Sequence, residues 1–306
     1  MLKFIVGRLL ISIPVLIGTT ILTFFLLQVM PGDPIARMMR EHIDPDVVAR
    51  VRQQMRLDDP APERYVRYMW DVLHGNFGES YKLRRSVSAL LTDAFPKTLA
   101  LTLAAVLFAW GIGIPSGIIA ALRHYSTPDH LVTVFALLGV SVPVFWSGLV
   151  FQLIFGWKLD LLPISGFGTV AHLIMPGIVL GWSSAAVVAR LTRSSLLEVM
   201  SSDYIRTARA KGLGRWAVIV RHALKNSLLP VVTIMAIQVS GLLSGAVITE
   251  SVFGIPGVGR VSVGAIQNRD LPLLQGSVIL TVVLVVLGNL LADLSYAFLD
   301  PRIRFE

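Results

Sequence analysis

The sequence has no cysteine, and its 306 residues carry little charge. The missing cysteines exclude disulfide bonds, thiolate metal sites and a cysteine nucleophile. Asp, Glu, Lys and Arg together make up 15% of the chain, whereas soluble domains contain about 25%. Hydrophobic residues reach 54%, and the mean hydropathy is +0.71. This balance excludes a disordered protein, a coiled coil and an ordinary soluble enzyme, and it predicts an integral membrane protein.

Sequence motifs for catalysis and for ion coupling are also missing. There is no G-x-x-x-x-G-K-[ST] loop for nucleotide phosphates and no H-E-x-x-H zinc motif. The six histidines lack metal-ligand spacing, and residues 241–245 miss the G-x-S-x-G elbow because the serine stands one place late. The apolar stretches contain no carboxylate, which a proton- or sodium-coupled carrier commonly keeps. We therefore expect no enzyme and no cofactor bound by this chain, and a partner that supplies the energy for uphill transport.

Six stretches without Asp, Glu, Lys or Arg predict membrane-spanning helices, because a bilayer core needs about 20 apolar residues. The third stretch contains Pro143, where we expect a kink, and the fourth is short and opens near Pro176. The first is longer than the ~7–15 apolar residues of a signal peptide, so we expect it to remain as a span. The six predicted spans are residues 9–30, 98–122, 131–157, 173–189, 226–249 and 271–292.

The distribution of basic residues predicts the side of the membrane on which each loop lies. With the N-terminus inside, thirteen Lys and Arg fall in cytoplasmic segments and three in the two short outer loops, in agreement with the positive-inside rule. Both ends are then cytoplasmic, and topology accounts for the net charge of +8 without a nucleic-acid partner. We expect a multi-pass protein of the cell (inner) membrane. The predicted divisions are residues 1–30 (cytoplasmic N-terminus and span 1), 31–97 (outer insert), 98–299 (core of spans 2–6) and 300–306 (cytoplasmic tail).

The outer insert has the pattern of a small helical domain. Its eleven basic residues are balanced by ten acidic ones. Apolar spacing predicts amphipathic helices over residues 47–57 and 65–73, with turns at residues 58–60 and 74–76. We interpret the insert as a helical cap on the membrane domain, and a direct solute site is the alternative.

The cytoplasmic loop predicted at residues 190–225 has the most informative functional pattern. It contains eight basic residues against Glu198 and Asp203. Small residues precede paired glycines, which predicts a short helix that sits closely in a groove of another protein. The alternative is that the charges only set topology, but topology requires neither the tyrosine, the alanines nor the glycines. The candidate docking residues are Asp203, Tyr204, Arg206, Thr207, Ala208, Ala210, Lys211 and Gly212.

Several short boxes, in a fixed order, resemble the membrane-spanning subunits of binding-protein-dependent ABC importers. Within that family, the chain is similar to the B-type permeases of the dipeptide, oligopeptide, glutathione and nickel systems. The resemblance covers essentially the whole chain, and it rests on the joint presence of boxes that are weak when taken singly. The boxes are residues 8–14, 31–34, 75–80, 203–212, 222–230, 250–253, 256–260, 269–270, 293–296 and 300–304.

This resemblance implies an all-α, type I ABC importer permease fold with six spans and the outer helical insert between spans 1 and 2. The implied partners are a homologous second permease, two ATPase subunits that bind ATP and Mg, an extracytoplasmic solute-binding protein and the lipid bilayer. Residues 190–225 become the EAA loop, whose pattern E-A-A-x-x-x-G matches Arg206, Thr207, Ala208 and Gly212. The chain departs from the pattern in two ways: Arg206 replaces the glutamate, and Gly212 lies 18 positions before Pro230.

The expected function is therefore that of a permease subunit for peptides in an ATP-driven importer. Glutathione or nickel chelates are the alternatives within the family, because specificity resides largely in the separate binding protein. A stand-alone secondary transporter or channel is the alternative outside it.

Two further groups of residues are candidates for contact with the solute. The loop after span five is bent by proline and glycine, and it forms either an outer mouth or a packing plug between spans five and six. Polar residues within spans five and six either line the pathway or form hydrogen bonds between helices. The outer-mouth candidates are Glu250, Pro256, Gly257 and Arg260, and the pathway candidates are Gln238, Ser240, Ser244 and Asn289.

Overall fold

The computed structural model describes residues 2–29 and 59–299, and these residues form helices with no β-strand among them. The residue 31–34 box, the amphipathic stretch 47–57 and the tail 300–306 lie outside the described residues. The helices are α1 (Leu2–Val29), α2 (Ala61–Leu73), α3 (Val87–Leu122), α4 (Thr127–Ser141), α5 (Val144–Phe151), the π-helix π1 (Gln152–Lys158), α6 (Ala171–Met200), α7 (Asp203–Ala210), α8 (Arg215–Ala217), the π-helix π2 (Val218–Ala223), α9 (Leu224–Ser227), α10 (Leu229–Phe253), α11 (Val258–Asn268) and α12 (Leu271–Leu299).

All six predicted spans fall on helical segments, so the expectation of an all-α membrane protein is confirmed. By length and composition, α3, α6 and residues Leu271–Leu290 of α12 are apolar enough to cross a membrane as single helices. Two bent pairs meet the same criterion: α4 with α5–π1, and α8–π2–α9 with the first part of α10. Residues Leu10–Leu26 of α1 form a shorter apolar helix.

Two helices extend beyond the predicted spans, both at polar ends. Helix α3 begins at Val87, eleven residues before the predicted span, because Val87 and Leu91 face the protein while Asp93 is exposed. Residues 87–97 of the predicted outer insert therefore belong to α3. Helix α6 continues to Met200, past the predicted end at residue 189, because Leu196 is buried in a cluster beneath α7. The predicted loop at residues 190–225 is thus helical over its first third.

The kink expected at Pro143 is a sharp bend of the chain. Helix α4 ends at Ser141, and α5 starts at Val144 with Pro143 as its N-cap residue. The axes of the two parts differ by 110°. Proline has no N–H to donate and restricts the residue before it, so a break is expected here.

Helices α3 and α6 pack closely along their length, because glycines let their backbones approach each other. A Cβ atom on Gly117 would lie 2.5 Å from the carbonyl oxygen of Ala189, and one on Gly181 would lie 2.5 Å from that of Ala105. Small residues at four-residue spacing are the usual means of close helix packing in membranes. The contacts advance in the same order along both helices, so α3 and α6 run parallel and the chain between them returns to its starting side.

The described part of the outer insert contains the second predicted amphipathic helix, which is confirmed as α2. It packs on the end of α1, where the Thr20 and Tyr65 hydroxyls are 2.8 Å apart and the Phe24 ring meets those of Tyr65 and Tyr68. This placement agrees with a helical cap on the membrane domain.

Three groups of buried residues position the candidate sites. A central cluster lies between α3, α6 and α10. The outer cluster joins Val87 and Leu91 to Ala265, Leu273 and Leu274. The inner cluster consists of Ala121, Leu196, Ile205, Ala208, Val218 and Ala223.

Candidate functional site

The candidate docking helix, α7, is attached to its own chain by one face. Ile205 and Ala208, three residues apart, are buried in the inner cluster against Leu196 of α6 and Val218 of π2. The expectation that Ala208 faces a partner together with Ala210 is therefore corrected. Sequence alone could not reveal this, because the end of α6, which was predicted as loop, determines which face of α7 is covered.

The opposite face of α7 is exposed. Asp203, Arg206, Thr207 and Ala210 lie there, and Arg206 forms an ion pair of 3.3 Å with Asp203. A pair so open to solvent contributes little to stability. Tyr204 lies at the side, where its hydroxyl accepts a hydrogen bond of 2.9 Å from the Asn226 side chain. The arrangement holds a short helix in place and leaves one face available for a partner.

Helix α7 ends in the way that its paired glycines indicated. Lys211 is the C-cap residue, and Gly212 adopts φ +80° while its N–H donates to the carbonyl of Arg209. A Cβ on Gly212 would meet no atom within 4 Å. The requirement for glycine is therefore conformational, because the left-handed region strains other residues. A side chain at position 212 would therefore disturb the end of α7.

Large apolar side chains beside α7 were missed by the sequence reasoning. Trp216 is 70% exposed, and Leu213 and Val220 are exposed as well. Their signal was present as an apolar run just after the paired glycines, but the prediction of a docking surface stopped at Gly212. Together with the exposed face of α7 they form a mixed polar and apolar surface, which is suited to contact with another protein.

A partly buried ion pair near the inner cluster was also missed. The Arg193 guanidinium donates to both Asp129 oxygens, at 2.6 and 2.9 Å, and the Tyr125 N–H donates to one of them at 3.0 Å. The His124 ring lies 3.1 Å from the same carboxylate. This pair ties the α3–α4 turn to α6, just before the residues of α6 that support α7. Over residues 2–29 and 59–299, no three His, Cys, Asp or Glu side chains are grouped to hold a metal ion.

Among the outer-mouth candidates, Glu250 is fully buried at the end of α10 and holds the start of α11. Its Oε1 accepts the Thr98 hydroxyl at 2.6 Å, and its Oε2 accepts the Arg260 N–H at 2.9 Å. The Thr98 oxygen in turn accepts the Val258 N–H at 2.9 Å. A carboxylate at a helix N-terminus is favoured by the unpaired N–H groups and the helix dipole.

The four outer-mouth candidates come together, but in two roles. Gly257 is required for close approach, because a Cβ there would lie 2.3 Å from a Glu250 oxygen. Glu250 and Gly257 thus support the packing alternative. Pro256 and Arg260 are exposed, and the Arg260 guanidinium donates to the carbonyl of Gly254. These two residues are exposed at the surface, and a role for them in an outer mouth stays a prediction.

The four pathway candidates are not grouped in one place among the described side chains. The Gln238 amide donates to the carbonyl of Ser184 on α6 at 3.2 Å. Ser240 is buried against α12, where a Cβ on Gly288 would lie 2.5 Å from the Ser240 oxygen. Asn289 is exposed. The side chain of Ser244 lies outside the described set. For Gln238 and Ser240 the geometry supports contact between helices.

Comparison with protein families assigns nearly the whole sequence. Residues 113–305 match the family described as "Binding-protein-dependent transport system inner membrane component". Residues 1–102 match the corresponding N-terminal family, "Binding-prot-dependent transport system membrane comp, N-term".

Three curated relatives align over the full length of both chains. The dipeptide transport system permease protein DppB of Escherichia coli (strain K12) is 42% identical over 338 residues. The di/tripeptide transport system permease protein DppB of Pseudomonas aeruginosa (strain UCBPP-PA14) is 43% identical over 335 residues. The glutathione transport system permease protein GsiC of Salmonella typhimurium (strain LT2) is 40% identical over 306 residues.

Solved structures share the fold at lower sequence identity. A chain of the MetNI methionine ABC transporter, in an inward-facing conformation, superposes with a TM-score of 0.58 at 19% identity, covering 69% of this chain and 96% of that one. A chain of an amino acid ABC transporter with histidines gives 0.51 at 16% identity, covering 69% and 93%. At these identities the similarity shows the fold alone.

Proposed function

Because the chain belongs to the family of binding-protein-dependent transport system inner membrane components, as the permease of an ABC importer of the DppB and GsiC type, we propose that its solute is a small peptide. The observation that carries this proposal is full-length identity of 42–43% to permeases named for dipeptides and di/tripeptides. A glutathione permease is nearly as similar, at 40%, and glutathione is itself a tripeptide. Glutathione is therefore the second candidate solute.

The proposed machine contains a homologous second permease, two ATPase subunits that carry ATP and Mg, and an extracytoplasmic solute-binding protein. This chain contributes no catalytic residue and acts by contact. The geometry of α7 supports that role, since one face is anchored in the inner cluster and the other is exposed. Closure of the ATPase pair would draw the two α7 helices together, and the spans would switch between inward-facing and outward-facing arrangements.

The proposed topology places both chain ends in the cytoplasm and the outer insert on the opposite side of the cell inner membrane. The thirteen-to-three division of basic residues supports it. The parallel course of α3 and α6 supports it as well, because the inner cluster then gathers Ala121, Leu196 and Ile205 on one side.

Cysteine labelling tests this topology on a chain that has no cysteine of its own. The reporter cysteine on the outer side is placed at the exposed Ser86, as Ser86→Cys, because the nearby Ser80 is buried and would not react. The reporter on the inner side is Ser201→Cys, which is also exposed. An impermeant maleimide should label the first in intact cells, with the outer membrane permeabilised where one exists, and the second only after lysis. The reverse pattern would overturn the proposed orientation.

Uptake by the reconstituted importer tests the energy source and the solute. Proteoliposomes with all partners should accumulate a labelled dipeptide when ATP is supplied, and unlabelled dipeptides should compete better than glutathione or nickel chelates. Matched vesicles with a hydrolysis-deficient ATPase subunit serve as the control. Accumulation driven by an imposed ion gradient, with this chain as the only protein, would establish a secondary transporter instead.

A further inference from the structure

Asp270, between α11 and α12, connects two distant parts of the chain through a buried carboxylate. The residue is 2% exposed. The Ser80 hydroxyl donates to its Oδ2, the Tyr81 N–H donates to its Oδ1 at 3.2 Å, and the Lys82 N–H lies 3.4 Å from its Oδ2. The same carboxylate faces the first turn of α12, where the Leu273 N–H is 3.5 Å away. One side chain thus caps a helix and holds a segment 190 residues away.

The segment that Asp270 holds is a tight turn of the outer insert, residues 80–85. The Ser80 hydroxyl oxygen accepts a hydrogen bond from the Leu83 N–H at 3.0 Å, and the Ser80 backbone N–H donates to the carbonyl of Arg85 at 2.9 Å. Burial, followed by the charge of Asp270, raises the pKa of the Tyr81 phenol, so this side chain is neutral. Beside the turn, the Lys82 ammonium donates to the Asn268 side chain at the end of α11.

An apolar layer lies directly beneath this polar connection. Phe77 of the insert packs on the outer cluster, together with Val87 of α3 and Leu273 of α12. The layer has little spare room, because a Cβ on Gly276 would lie 2.6 Å from a Val87 methyl group. The turn, the start of α3 and the start of α12 are therefore joined by apolar packing as well as by hydrogen bonds.

The N-terminal end of α11 is attached to α3. Glu250 and the Thr98 hydroxyl of α3 hold the first N–H groups of α11. Helix α11 is consequently attached to α3 at its start and to the segment that leads into α3 at its end. A buried carboxylate carries each attachment, and the donors around it would each lose a partner if it were removed.

We propose that Asp270 is a positioning residue that keeps the turn at residues 80–85, the outer part of α3, helix α11 and the start of α12 together as one rigid body throughout the transport cycle. The proposal goes beyond the proposed function and uses it only for its uptake measurement. It requires that these segments do not separate when the importer switches between its two arrangements, so that the outer opening forms elsewhere. Asp270 then acts on transport through position and without touching the solute.

The test replaces the carboxylate and restores the connection covalently. In the assembled importer, Asp270→Ala should lower ATP-driven uptake on the order of tenfold, since several buried donors lose their acceptor. Lys82→Cys and Asn268→Cys, joined by a short bismaleimide, should return uptake of the Asp270→Ala protein to within about twofold of the parent, because only position was lost. The same cross-link beside the native Asp270 should leave uptake unchanged. Glu63→Ala is the matched acidic control, as Glu63 is exposed on α2, outside the joined segments.

A second readout is independent of transport. Arg84 and Arg85 are exposed in the turn, so trypsin should cut there faster in the Asp270→Ala protein and at the parental rate after cross-linking. If the parent shows no ATP-driven peptide uptake, the proposed function fails, and this cleavage still decides the role of Asp270. Two outcomes would overturn the proposal: a cross-link that stops uptake by the otherwise native importer, or an Asp270→Ala protein whose lost uptake and rapid cleavage the cross-link does not repair.

Discussion

The two ends of this permease, which are the outer and cytoplasmic sides in the proposed topology, use their charged residues differently. On the outer side, Glu250 and Asp270 are buried and accept hydrogen bonds from backbone N–H groups and hydroxyls. On the cytoplasmic side, Asp129 is paired with Arg193, and α7 presents an exposed face with Asp203 on it. Buried carboxylates hold segments in place, whereas exposed charges remain available to a partner. Substitutions should therefore divide into those that change stability and those that change association.

The largest effect on stability is expected at the cytoplasmic ion pair. Asp129→Ala leaves the Arg193 guanidinium and the Tyr125 N–H without their acceptor, which should cost about 3 kcal/mol. SDS titration of the purified protein in mixed micelles would measure this loss. The matched variant Asp203→Ala removes only an exposed ion pair and should leave the midpoint unchanged. Equal midpoints for the two variants would contradict the division drawn above.

A smaller loss of stability is expected at the start of α11. Gly257→Ala places a methyl group 2.3 Å from a Glu250 oxygen, so the turn must move, at a cost of about 2 kcal/mol. Gly264→Ala is the control within the same helix, because its Cβ would meet no atom within 4 Å. The control should be neutral or slightly stabilising. Thermal unfolding in detergent distinguishes the pair, and similar transitions for both variants would show that Glu250 does not need this space.

A change at the end of α7 should affect association more than stability. Gly212→Val puts a branched side chain at φ +80°, which strains the turn by about 1–2 kcal/mol and should displace the exposed face of α7. Less ATPase subunit should then be recovered with the solubilised permease. Gly214→Val is the control, since Gly214 has φ −61° and open space. Recovery of the ATPase at parental levels with Gly212→Val would remove the support for docking at α7.

The smallest effect is expected from Arg206→Ala. Arg206 is exposed and contacts Asp203 at the surface, so unfolding should not change measurably. ATPase binding should weaken by less than about tenfold, because a charge at the rim of an interface mainly alters the association rate. Association kinetics at low and high salt would measure this, with the loss fading at high salt. A loss that persists at high salt would place Arg206 in a dehydrated contact instead.

Much of this fold could be predicted from the sequence because apolar composition is a local property. The helices of the spans and α2 follow from it, and the left-handed end of α7 follows from the glycine itself. The start of α3 and the end of α6 could not be predicted, because these turns are polar on one side and resemble loops. The burial of Ala208 depends on one of those missed turns. The pairing of Asp129 with Arg193, and of Ser80 with Asp270, joins residues 64 and 190 positions apart, and no local pattern encodes such contacts.

The glycine contacts between α3 and α6 have a mechanical consequence. Close contacts run from Ala104 with Gly177 to Gly117 with Ala189, a length of about 18–20 Å at 1.5 Å per residue. Sliding one helix past the other by a residue would drive side chains into the opposing backbone, so the pair resists shear along its axis. A force applied at α7 acts on the C-terminal end of α6, where Leu196 lies. It should then tilt α3 and α6 together as one rigid unit. The opposite end of this pair is formed by the first turns of α3. In the proposed topology, a displacement of α7 in the cytoplasm would therefore move the outer end of α3 sideways, by tilting the pair, and would not slide one helix along the other.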